Sequence, residues 1–139
     1  MSLSLTRVLE VNAAGDTVTI YDQLNPKKRI EMSAERWATL AFYMDDIETH
    51  VQQLRSKIDM KYVQHIGGGY FVSVTSGYFC VDIRKFYAKK STNPTVGTDI
   101  RPMKDGIALR LIEWSALQSL LPTLYERAPL LRDTLFDEG

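Results

Sequence analysis

Apolar and polar positions along this chain switch between two periods, and the switches predict its elements. Val8–Val11, the turn Asn12-Ala-Ala-Gly-Asp16, and Thr17–Tyr21 read as a β-hairpin. Within it, Val18 and Ile20 alternate with Thr17, Thr19 and Tyr21. Asn25-Pro26 marks a second turn, and Ile30–Met32 a short third strand. From Ser33 the period becomes helical. Ser33 suits an N-cap, and Glu35 suits the positive end of a helix. Trp37, Leu40, Met44, Ile47, Val51, Leu54 and Ile58 then follow at alternating spacings of three and four. Such a seam lies along one partner helix.

The pattern then repeats. Residues 59–69, ending in Gly67-Gly68-Gly69, read as a flexible connection. A phosphate-cradling loop is the alternative, but the strand–glycines–helix context it needs is absent. Tyr70–Thr75 and Tyr78–Tyr87 read as strands, Ala88–Arg101 as a polar loop, and Gly106–Arg110 as the last strand. A second helix is expected from near Ile112. Its seam is Trp114, Leu117, Leu121, Leu124, Ala128, Leu131 and Leu135, each 77 residues beyond its counterpart (114 − 37). Pro122 and Pro129 each remove a backbone donor, so this helix is expected to bend or break where the first is straight.

The repetition predicts an α+β fold of two tandem strand–helix units, residues 1–60 and 61–139. Neither small sheet buries its seam alone. The expected solution packs the helices antiparallel in the middle with an antiparallel sheet on each side, a pseudo-dimer in one chain. The bland alternative is two amphipathic helices that share only a tryptophan and a generic core.

Charge sharpens this picture. The 139 residues carry no net charge, yet residues 1–30 sum to +1, 31–60 to −3, 61–110 to +5 and 111–139 to −3. The alternation is a second sign of a repeated unit, and it gathers positive charge on the strands. With 45% hydrophobic and 24% charged residues, the composition is that of an ordinary globular domain. No apolar run approaches the roughly 18 residues of a membrane span. The first residues have no basic stretch before an apolar one, so an intracellular protein without a membrane partner is expected. The single cysteine, Cys80, allows no intramolecular disulfide and suits a reducing compartment.

Two stretches carry a resemblance. "YFVSVTSGYFCVDIRKFY" (70–87) followed by "RPMKDGIALRLIEWSAL" (101–117) resembles the positive cofactor four family of transcriptional coactivators. That family has a YVSV-type strand, a DIR-aromatic strand, a KP-basic-GI strand and a W-S-x-L helix start. In the first unit, "KKRIEMSAERWATL" (27–40) and "MDDIETHVQQL" (44–54) match the last strand and helix. The resemblance covers about two thirds of the chain. It implies non-enzymatic binding of single-stranded DNA by curved sheets, in transcription, replication or recombination. The tandem plan is also similar to that of Whirly proteins, in architecture only, which leaves a further homo-oligomer open.

Carried over residue by residue, the resemblance places Arg84 on the basic DIR position and Tyr87 on the aromatic that follows. Arg101 falls on the lysine of the KP pair and Lys104 on the basic position before the last strand. Lys27 and Lys28 fall on the same basic pair in the first unit. Lys85, Lys89, Lys90 and Arg29 are nearby without that warrant. Independently, a single strand needs cations for phosphates and ring faces for bases. Tyr70, Phe71 and Tyr78 supply rings if they face the groove. The departures are Asp105, where the family has lysine, Thr75 and Tyr78, where it has basic residues, and a shortened turn before Gly77. Fewer phosphate contacts weaken binding.

Several of these residues have a structural reading as well. Arg84 can pair with Asp82, the Lys27-Lys28-Arg29 run can be a solvated turn, and strand aromatics are often core. Trp37 and Trp114 are expected in helix–sheet packing. Single-stranded RNA is the second candidate ligand, because neither stacking nor phosphate contact alone reads the 2′-hydroxyl. A scaffold that has lost nucleic acid is the third reading, favoured by zero net charge and Asp105.

Catalysis finds little support. His50 and His65 lack metal-ligand spacing. Cys80 sits among apolar residues, and Asp45-Asp46 are adjacent on a helix and do not converge. No metal or cofactor is expected.

Overall fold

The computed structural model describes residues 1–90 and 98–136, with side chains described for 1–86 and 105–136. Along the chain run β1 (Arg7–Val11), β2 (Thr17–Asp22), β3 (Arg29–Ser33), α1 (Ala34–Phe42) and α2 (Met44–Arg55). Then follow β4 (Lys61–His65), β5 (Tyr70–Thr75), β6 (Cys80–Lys90), β7 (Thr98–Arg110), α3 (Leu111–Arg127) and α4 (Pro129–Asp133). The fold is α+β, with one antiparallel sheet of seven strands in the order β1-β2-β3-β7-β6-β5-β4.

The single sheet replaces the two expected sheets. Strands β3 and β7 join the two halves edge to edge through one register pair, Arg29 opposite Gly106. Residues 59–69 are not all linker: Lys61–His65 forms the edge strand β4, paired with β5. Its sequence, KYVQH, lacks the apolar–polar alternation by which an edge strand is usually read. The expected loop at 88–101 is also shorter, since β6 runs to Lys90 and β7 begins at Thr98.

The helices cover one face. Ile20, Ile30, Met32, Val72, Val81, Ile83, Ile107 and Leu109 form one buried cluster with Trp37, Leu40, Ile47, Trp114 and Leu117. Ser33 caps α1, its Oγ accepting from the Arg36 N–H at 3.2 Å. The Glu113 carboxylate accepts from the Arg110 N–H at 2.9 Å, which fixes the start of α3.

Helix continuity differs from the sequence reading in the first half, while the break expected in the second falls at Pro129 and not at Pro122. The first helix breaks at Tyr43, whose N–H bonds back to Leu40 and Thr39. There Phe42 stacks on Phe136 with centroids 4.4 Å apart, a contact with a residue far along the chain that no local pattern announces. The second helix continues past Pro122, which is exposed inside α3. It breaks only at Ala128, so that Pro129 becomes the first residue of α4, where its missing N–H costs nothing. The seam stays buried across the first break from Trp37 to Leu54.

Contacts recur at fixed offsets. Leu3 N–H donates to Arg7 O at 2.9 Å, and Ile66 N–H to Tyr70 O at 2.9 Å. Gln23 N–H donates to Thr6 O at 2.7 Å, and Phe86 N–H to Gly69 O at 2.7 Å (86 − 23 and 69 − 6 are both 63). The isolated bridge Ser2–Val8 stands where His65 pairs with Phe71. From β3 onward the offset is 77, and both residues of the Arg29–Gly106 junction obey it. The two fully buried tryptophans obey it too. Trp37 Nε1 donates to Tyr125 Oη at 3.3 Å and Trp114 Nε1 to Glu48 Oε2 at 2.9 Å (125 − 48 is again 77).

Candidate nucleic-acid interface

Register decides which side chains share the face that the helices leave open. One row of directly opposed residues crosses all seven strands: Val8, Tyr21, Arg29, Gly106, Arg84, Phe71 and His65. Opposed residues project to the same side of a sheet, and residues two apart on a strand do likewise. Lys61 and Val63 on β4, Ser73 and Thr75 on β5, and Asp82 and Phe86 on β6 therefore share this face.

Its richest part lies over β4, β5 and β6. The Phe71 ring tilts against His65 at 4.7 Å and meets Phe86 edge-on at 5.1 Å. Lys61, Val63, Phe71, Ser73, Thr75 and Phe86 line a shallow hollow of about 330 Å³. Val63 is 49% exposed, so an apolar patch here faces water. A second hollow of about 310 Å³ adjoins it, lined by Ser73, Thr75, Tyr78, Cys80, Asp82 and Ala108. Burial, and next the Asp82 charge, raise the Cys80 thiol above its ordinary value. The raised pKa keeps the thiol protonated and a poor nucleophile.

The expected site residues are distributed unevenly over this geometry. Arg84 lies on the open face and clasps Asp82, with Nη2 to Oδ1 at 3.1 Å and Nε to Oδ2 at 3.3 Å. Its guanidinium lies across Gly106, where an added Cβ would come within 2.7 Å of Cζ. Lys27 and Lys28 are exposed in the β2–β3 turn. Tyr78 and its neighbour Phe79 are exposed at the β5–β6 turn, 68% and 60%. Tyr70 has the opposite parity to Phe71 and sits on the helix side. Its hydroxyl donates to Glu31 O at 3.1 Å, and Lys85 Nζ stands 5.5 Å from its ring centroid. Tyr70 is therefore not presented to the open face. Tyr87 and Arg101 are register partners on β6 and β7, and Lys104 also lies on β7, but the side chains of all three fall outside those described.

Phe86, His65 and Lys61 escaped the sequence reading. Parity was the available signal: burial of Val72 and Val74 turns Tyr70 toward the helices and Phe71 outward. Lys61 and His65 were hidden because their strand was read as a linker. Arg7 was missed as well. Its Nε donates to Asp22 at 2.8 Å and its Nη1 to Ala108 O at 2.9 Å, across the junction of the two halves.

Cations on this face have acidic neighbours. Arg29 pairs with Glu31 at 3.3 Å and Arg84 with Asp82, while Glu10 accepts from the Tyr21 hydroxyl at 2.8 Å. No known protein-family model matches the chain, and no curated protein matches it.

Proposed function

We propose that this chain is a non-enzymatic, single-stranded DNA-binding protein of the coactivator type. In this reading it is built from a duplicated strand–helix unit that pairs with itself. The observation that carries the binding activity is the ring cluster Phe71, Phe86 and His65 on the open face, flanked by Lys61 and Arg84. Ring faces stack on bases of any identity, and cations neutralise the backbone between them. Stacking on exposed aromatics contributes about 1–3 kcal/mol per base. Arg84 and Lys28 exchange intramolecular or solvent partners for phosphates, so the electrostatic contribution is modest and falls steeply with salt.

The duplication is supported by the repeated contacts. With offsets of 63 over the early strands and 77 over the last strand and helix, the second unit carries 14 additional residues (77 − 63) after Phe86 and before Gly106, spread over the longer β6 and β7 and their connection. Direct opposition of Arg29 and its own counterpart Gly106 supports this reading, because a two-fold axis relating the units would pass through that pair. The exchanged tryptophan bonds obey the same symmetry.

A scaffold reading is favoured by one observation, the carboxylates beside Arg29 and Arg84. Anisotropy of a labelled ~20-nucleotide single strand, its duplex and the matching RNA, across a salt series, separates the readings. The proposal expects salt-dependent binding that favours the single DNA strand over duplex. RNA preference redirects the assignment to single-stranded RNA, and absence of binding at low salt overturns it in favour of the scaffold.

A further inference from the structure

Beside the Arg29–Gly106 pair, β3 and β7 splay apart and leave a cavity of about 290 Å³. Its lining is Arg7, Lys28, Arg84, Gly106, Ile107 and Ala108, three cations and no carboxylate. From this we infer a phosphate seat at the centre of the sheet, where a phosphodiester crosses from one half of the molecule to the other. The inference rests on the nucleic-acid reading above and names a contact within it.

The three cations have different roles. Arg7, one residue before Val8, has the parity of the helix side, like its counterpart Tyr70, and lines the cavity from that side of the sheet. It is held in place by Asp22 at Nε and Ala108 O at Nη1, with Glu113 at 4.0 Å and only 11% of the side chain exposed. Preorganisation of this kind removes the entropy cost of ordering a long side chain when an anion arrives. Arg84 enters from the opposite wall, with Asp82 behind it and Gly106 beneath it. Lys28 stands exposed at the rim as a mobile point charge. Gly106 provides the floor. Its backbone does not require glycine by φ, but a Cβ would meet the Arg84 side chain at 2.7–2.8 Å and push it aside. The seat belongs to one side of the junction only. At the related place across it, Tyr70 rather than an arginine caps the bared Glu31 carbonyl.

The test uses the full chain with Lys28→Ala, Gly106→Ala and, on the helix side, Arg55→Ala as a charge-matched control. A labelled ~20-nucleotide oligothymidylate is titrated across a salt series. Inorganic phosphate is titrated in parallel while the arginine Nε–Hε resonances are followed by NMR. Lys28→Ala is expected to weaken binding about threefold to tenfold and to lower the salt slope by about one. Gly106→Ala is expected to weaken binding with the fold intact, and Arg55→Ala to change neither affinity nor slope. If oligonucleotide binds equally to wild type, Lys28→Ala and Gly106→Ala, the seat is overturned while the nucleic-acid reading stands. If wild type binds no oligonucleotide, yet phosphate shifts Arg7 and Arg84 in wild type and not in Lys28→Ala, the seat stands as a small-anion site and the wider reading falls. Absence of both responses overturns both.

Discussion

The two halves of this molecule solve one structural problem with opposite charges. In each, a carbonyl bared where β3 and β7 separate is capped by the first residue of an early strand. Arg7 caps Ala108 O in one half and Tyr70 caps Glu31 O in the other. Arg7 lies against Asp22 and Glu113, whereas Tyr70 lies under Lys85, with Asp105 and Glu31 as well as Arg36 in its surroundings. Glu113 and Arg36 hold the same place, each two residues into its helix and each buried. The neighbouring turn follows suit. Ser4 Oγ donates to Glu113 at 2.6 Å, while the counterpart Gly67 makes room for the Arg36 guanidinium, which donates to Ile66 O. A buried polar group has to be satisfied, but the sign of its charge is free as long as its neighbours change with it.

Replacing the tryptophans breaks the comparison most severely. Trp37→Ala and Trp114→Ala should each cost about 3–5 kcal/mol in urea unfolding, because both side chains are fully buried. Phenylalanine separates them. Trp114→Phe abandons the Glu48 carboxylate, so it should cost more than Trp37→Phe, since hydrogen bonds to charged groups contribute about 1.5–3 kcal/mol against about 1 for neutral ones. Equal losses would show that the two bonds contribute alike.

The turns differ by a smaller amount. Gly67 has φ +87° and its absent Cβ would overlap Arg36 Nη1, so Gly67→Ala should destabilise by about 2 kcal/mol or more. Ser4→Ala loses one hydrogen bond to Glu113, about 1–2 kcal/mol. If thermal unfolding ranks Ser4→Ala as the worse variant, Gly67 is not shaped by Arg36.

At these paired places, acid should act on the Arg7 side only. Burial pushes the Asp22 carboxyl up, but Arg7 and the Asn25 and Leu24 N–H groups outweigh it, and its pKa lies below the ordinary 3.8. A carboxylate with a lowered folded pKa adds stability that is present above its unfolded pKa and is lost as pH falls through the folded value. Stability should therefore decline below about pH 4, and Asp22→Asn should flatten that decline. Lys85 stands in the counterpart place, so Lys85→Gln should leave the acid limb unchanged.

The mildest prediction has the opposite sign. Tyr62 of β4 stacks on His50 at 4.0 Å, and its hydroxyl is buried with no hydrogen-bond partner among the described residues. Burial, with Asp46 and Tyr43 nearby, pushes its pKa up to about 12. Tyr62→Phe should be neutral or stabilise by up to about 1 kcal/mol, because it removes an unpaired group without changing the packing. A loss in melting temperature would show that the hydroxyl has a partner after all.

Local periodicity was enough to read most strands, the Ser33 cap and the seams as far as Leu54 and Leu131, but it carried the seams too far: Ile58 and Leu135 lie beyond the helices and are 49% and 86% exposed. Each of these readings depends only on how a side chain faces its own element. Arg84 and Lys28 came from the family resemblance instead, and Tyr78 from the need of a single strand for exposed rings. Periodicity did not distinguish Tyr70 from Phe71, because adjacent residues on a strand differ only in which face the rest of the protein covers. It missed Arg7, which reaches a carbonyl 101 residues away, and Ser4, whose partner is 109 residues away. Nor did it foresee one continuous sheet. Joining β3 to β7 depends on two edges meeting in space, and no residue near either edge encodes the other. Alternation and capping are written residue by residue along the chain. The cation-lined junction, the open aromatic face and the exchange of charge between halves arise only when distant segments satisfy one another's buried polar groups.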